Sequence, residues 1–118
     1  MTIKKYHLHS MPSAQCHVEI MRGDYGELRA VRLVSYRTTM LTLEVDYNND
    51  SVVCKVNYHV DCSKTTARHV NRFTTEFFGE NKYHELKKLG DGNYFDMSKY
   101  RHFVYDSVMW YEQRGKRW

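Results

Sequence analysis

A chain of 118 residues fits one domain, expected to span 1–118, and leaves no room for two independent cores. The hydrophobic fraction of 42% is ordinary, no apolar run approaches a membrane span, and one proline with six glycines excludes a long unstructured linker. A net charge of +4 permits contact with nucleic acid or with an acidic protein surface but demands neither.

The opening Met-Thr-Ile-Lys-Lys-Tyr carries two lysines with no apolar run behind them, so a secretory signal is not expected. Residues 4–9 read as a short strand at a sheet edge, and residues 16–22 as a full strand. Gly23-Asp24-Tyr25-Gly26 supplies the next turn. Residues 28–37, rich in β-branched and aromatic side chains, give a further strand. The clearest alternation follows. Leu41, Leu43, Val45 and Tyr47 oppose Thr42, Glu44 and Asp46, and beyond Asn48-Asn49-Asp50-Ser51 the pattern resumes with Val52, Cys54, Val56, Tyr58 and Val60. Period two on both sides of a polar, turn-prone tetrad predicts an antiparallel hairpin.

At Ser63 the period changes. Its hydroxyl is placed to cap a helix, and Ala67, Val70, Phe73, Thr74 and Phe77 recur at helical spacing until Gly79 stops it. Residues 81–89 form a short second helix ending at Gly90, and Asp91-Gly92-Asn93 a turn. From Ser98, the spacing of Tyr100, Phe103, Val104, Val108 and Tyr111 predicts a final amphipathic helix. The expected fold is therefore α+β, an antiparallel sheet of about four strands followed by two or three helices packed on one face. Its free edge would suit strand addition by a second copy.

Catalytic and metal chemistries find little footing. Cys16, Cys54 and Cys62 are odd in number and widely spaced, so free thiols and a reducing compartment, the cytoplasm, are expected. His59, Cys62 and His69 do not follow a zinc-site spacing, and no metal is expected. Cys62 is the only tempting nucleophile, with His59 or His69 as base, but no third residue would orient the pair, and packing beneath the helix cap explains it better. No glycine-rich phosphate loop and no paired carboxylates stand out, so neither an enzymatic role nor a cofactor nor a small-molecule substrate is expected.

The surface feature that remains is cationic. Lys64, Arg68 and Arg72 stand four apart with no acid between them and line one ridge of the predicted helix. Arginine forks at that spacing suit phosphates or an acidic groove. A second group, Arg114, Lys116, Arg117 and Trp118, forms the tail, either frayed or able to clamp a partner through cation–π and stacking contacts.

Ser35-Tyr36-Arg37-Thr38 and, after the hairpin, Ser63-Lys64-Thr65-Thr66-Ala67-Arg68-His69-Val70-Asn71-Arg72-Phe73 together resemble a small domain of phage and mobile-element proteins. That domain carries a Ser-Tyr-x-Thr strand and a Ser-x-Thr-Thr-x-Arg/Lys-His-x-x-x-Phe helix. The chain also resembles phage-encoded anti-CRISPR inhibitors of type II effector nucleases. The resemblance covers roughly residues 28–78 and leaves 1–27 and 80–118 without a counterpart. It implies that Ser63 and Thr66 order the helix start, that Phe73 anchors the helix, and that Arg68, His69 and Arg72 face outward. It further implies stoichiometric inhibition in the host bacterial cytoplasm, with a CRISPR effector nuclease or its guide RNA as partner and Lys64, Arg68, His69 and Arg72 in contact. The alternative is a basic nucleic-acid-binding accessory protein of a phage or mobile element.

Overall fold

The computed structural model describes residues 1–118. Six strands form one antiparallel sheet, with alternating apolar side chains clearest in the inner ones: β1 (Thr2–His7), β2 (Cys16–Arg22), β3 (Leu28–Ser35), β4 (Thr38–Asp46), β5 (Ser51–Val56) and β6 (Tyr94–Asp96). Their spatial order is their sequence order, so each strand pairs with its chain neighbour, although α1 (Lys64–Phe78) and α2 (Tyr83–Leu89) intervene before β6. A 3-10 turn at Ser98–Tyr100 leads into α3 (Arg101–Arg114).

Register sorts the side chains onto two faces. Val18 pairs with Leu33, Leu33 with Leu41, and Leu41 with Val56, and all four are buried on the helix-covered face. The adjacent row, Lys5, Glu19, Arg32, Thr42, Lys55 and Tyr94, lies on the uncovered face. Val70, Phe73 and Phe77 of α1 and Val104, Val108 and Tyr111 of α3 join the strand residues in one contiguous core. Phe73 stacks on Phe77 at 4.6 Å between centroids, and Phe77 on Tyr111 at 5.9 Å. These rings bury the largest apolar areas available to the chain, which is why the helices dock where they do.

Local signals account for the helix ends. Ser63 caps α1 by accepting from the Thr66 amide at 3.0 Å. Gly79 ends it at φ 77°, where a side chain would also strike the Phe103 ring.

The α+β class, the 16–22 strand, the hairpin and the α1 boundaries agree with the sequence-based expectation. The strand count does not, because there are six rather than about four. The edge segment expected at 4–9 is the six-residue strand β1, shifted to Thr2–His7, and β6, only three residues long, follows α2 and pairs with β5 from Val53–Asp96 to Lys55–Tyr94. A three-residue strand is too short for alternation to register. The third strand stops at Ser35 rather than Arg37, and β5 stops at Val56, leaving Tyr58 exposed. Phe103, expected on the buried side of α3, is 36% exposed and lies over Gly79 instead.

The tail is neither frayed nor free. The His7 amide donates to the Lys116 carbonyl at 2.9 Å, and the Trp118 amide to the Lys5 carbonyl at 2.9 Å. Residues 116–118 thus pair along the outer edge of β1 at Lys5–His7. No helix is long and apolar enough to cross a membrane.

Candidate functional site

The two motif segments meet in space. Between β3 and β4, Tyr36 and Arg37 form a two-residue turn with φ of 51° and 73°, so Ser35-Tyr36-Arg37-Thr38 is a hairpin tip and not a continuous strand. Ser35, at the foot of that tip, reaches α1. Its Oγ lies 3.0 Å from Thr66 Oγ1 and 2.9 Å from His69 Nδ1, while Ser63 Oγ donates to Thr66 Oγ1 at 3.0 Å. One chain of hydrogen bonds therefore runs from the helix cap to the hairpin.

This arrangement corrects one expectation. His69 does not face outward; it is fully buried and turned toward the sheet, where its Nδ1 meets Ser35 Oγ. Burial lowers its pKa below the ordinary 6.5, so the ring is neutral in the folded protein near pH 7. Ser35 is 2% exposed, so the Ser–His pair has no substrate access and serves as a structural pin. Cys62, expected beneath the cap, is exposed instead, and its thiol makes no hydrogen bond to either histidine considered as its base. His59 faces Asp91 at 3.3 Å. Cys16 and Cys54 are buried, and burial pushes the Cys16 thiol up to about 12. No three His, Cys, Asp or Glu side chains converge to hold a metal ion.

Outside the sealed network lies an open cationic surface. Lys64, Arg68 and Arg72 are exposed along one ridge of α1, as expected, and Arg37 is exposed on the hairpin tip. None of the four makes an ion pair. Arg68 and Arg72 line a groove of about 600 Å³ with Met11, Asn71, Thr75 and Asn81, and no acid contributes to its wall. Asn71 Oδ1 is buried there with no hydrogen-bond partner in the protein. On the other side of the hairpin tip, a second groove of about 430 Å³ is lined by Ala14, Gln15, His17, Tyr36, Arg37 and Trp118. The Tyr36 amide donates to the Gln15 carbonyl at 2.7 Å, which fixes the tip against the β1–β2 loop.

The tail residues divide. Trp118 packs on His7 and His17, at 5.0 and 4.7 Å between centroids, and so joins the second groove. Arg117 lies 5.4 Å over the Tyr6 ring, a contact inside the protein and not one awaiting a partner. Arg114 and Lys116 border a smaller groove with His7, His9, Pro12 and Trp110. Both cationic groups therefore flank the β1–β2 loop at one end of the sheet, with Met11 and Pro12 in the walls.

Sequence reasoning overlooked Tyr36 and Arg37 as site residues because the segment looked like strand. The available signal was a two-residue gap between two alternating runs. It also missed Asn71, which sits between Arg68 and Arg72 in the same groove.

Compared with family models, with curated proteins and with solved structures, the chain shows no match.

Proposed function

We propose that this protein acts by stoichiometric binding, without catalysis, and that its cationic end engages the phosphate backbone of a nucleic acid. The observation that carries the reading is the set Arg37, Arg68 and Arg72, exposed cations that line acid-free grooves, with Lys64 exposed on the same α1 ridge and no intramolecular ion pair among the four. Arg22, by contrast, is held by Glu112 at 2.6 Å, and what sets the α1 and hairpin cations apart from other unpaired ones is their clustering beside grooves without acids. These four instead remain available for the bidentate and point-charge contacts that phosphates accept. The sealed Ser35–His69 pair and the solitary Cys62 offer no constellation for nucleophilic catalysis.

The narrower reading is a phage-type inhibitor of a type II CRISPR effector nuclease, acting in the bacterial cytoplasm with the effector's guide RNA as the ligand of this surface. Its support is the motif resemblance, together with the meeting of both motif segments in one unit that presents Tyr36, Arg37 and the α1 ridge. A net charge of +4 disfavours an acidic mimic of DNA and suits competition for RNA.

Binding of labelled nucleic acid across a salt series tests the first reading. Affinity should fall by about 0.7–0.9 log units per contacted phosphate per log unit of salt, and Arg68→Ala with Arg72→Ala should flatten that slope by about the same amount each. A salt-independent or absent interaction removes it. Pull-down of a type II effector, with and without guide RNA and after nuclease digestion, separates the two readings. Capture that requires the guide RNA supports the inhibitor, and capture of nucleic acid alone leaves the accessory binder.

A further inference from the structure

We infer that the nucleic acid bound at this end is single-stranded, held by phosphates along the α1 ridge and by bases stacked on Tyr36 and Trp118. The inference rests on the phosphate-binding reading and narrows its ligand.

Three observations carry it. Tyr36 and Trp118 are 51% and 46% exposed, and unlike the other exposed tyrosines they line one groove together, beside Arg37. Aromatic faces beside cations form the platform on which unpaired bases stack, whereas duplex DNA or RNA hides its base faces and offers a side chain only edges and phosphates. Both rings are also held in place. Trp118 is seated on His7 and His17, and the Tyr36 backbone is fixed by the hydrogen bond its N–H donates to the Gln15 carbonyl, with the buried His69 ring 6.3 Å away. Ordering them costs the complex little entropy.

The third observation is backbone strain. A turn with both central residues at positive φ favours Asn-Gly, and each bulky residue there costs about 1 kcal/mol or more. This chain places Tyr36 and Arg37 at those positions, at φ 51° and 73°. An aromatic ring and a guanidinium are thus presented side by side at a backbone site that suits neither, the pattern of strain held at a binding surface. The acid-free groove around Arg68 and Arg72 continues the surface across the β1–β2 loop, with Met11 in its wall and Gln15 in the wall of the other groove.

The test uses the full chain and fluorescence anisotropy with single strands of about 12 nucleotides, and duplexes of the same length, at one ionic strength. Single strands should bind about tenfold tighter or better. Tyr36→Leu should weaken single-strand binding about fivefold or more while Tyr36→Phe retains it, because the ring and not the hydroxyl does the stacking. In a Trp110→Phe background, the remaining Trp118 fluorescence should be quenched by single strands and little by duplex. Equal affinity for both forms, with Tyr36→Leu neutral and Trp118 unquenched, overturns the single-strand assignment and leaves phosphate binding standing. Failure of both forms to bind overturns the assignment and the phosphate reading together.

Discussion

Ser63, Thr66 and His69 lie toward the sheet side of α1, while Lys64, Arg68 and Arg72 lie on its open side, and the two sets use their polar groups in opposite ways. The first set hydrogen-bonds within the protein and with Ser35, sealed from water at Ser35, Thr66 and His69. The second makes no ion pair. Polar residues that bond one another inside a fold help specify its geometry, here with His69 Nδ1 bonded and Nε2 left without a partner, whereas polar residues held at its surface are available to a ligand. The contrast separates what holds α1 in place from what α1 presents.

Substitutions on the sheet side should change stability and leave the ligand contacts alone. Phe73→Ala removes a fully buried ring stacked on Phe77 and should cost about 3–5 kcal/mol in denaturant unfolding. A cost under about 1 kcal/mol would show that α1 is not anchored there. Ser35→Ala breaks the chain between Thr66 and His69 and should cost about 1–3 kcal/mol, with nucleic-acid affinity retained under folding conditions. Loss of affinity without loss of stability would instead place Ser35 in the binding surface.

The same network sets a pH dependence. Burial lowers the His69 pKa in the folded state, so below the ordinary value of 6.5 the unfolded chain takes up a proton that the folded one resists. Stability from this group is therefore full above 6.5 and is lost as pH falls toward the folded pKa. Thermal melts on either side of that pH should show the decline, and His69→Gln should shrink it. An unchanged pH profile in His69→Gln would locate the acid sensitivity elsewhere.

On the open side the expected stability changes are small or opposite in sign. Tyr36→Asn with Arg37→Gly should relieve the positive-φ turn and raise stability by about 1 kcal/mol, while weakening binding. A double variant that is less stable would mean that the two side chains hold the turn and not a ligand. Arg68→Ala and Arg72→Ala should each leave unfolding within about 0.5 kcal/mol of the parent, since neither makes an ion pair, and should be felt only in the salt-dependent affinity.

The motif residues show how legible each kind of information was. Ser63 as a cap, Gly79 as a stop and the Arg68–Arg72 ridge depend on a few neighbouring residues and on helix period, so the chain displayed them openly. His69 shares that helix, but whether it faced water or the core depended on a serine 34 residues away, which no local pattern could reveal. Composition and periodicity by themselves determined the α+β class, the central hairpin and α1, because alternation and helical spacing are local consequences of burying one face. Only the tertiary structure decided that β6 joins the sheet beside β5, that residues 116–118 pair with the end of β1, and that Tyr36 and Trp118 share one groove. Those features arise from contacts between segments far apart in the chain. Their partners are selected by the packing of the whole sheet and not by the residues beside them.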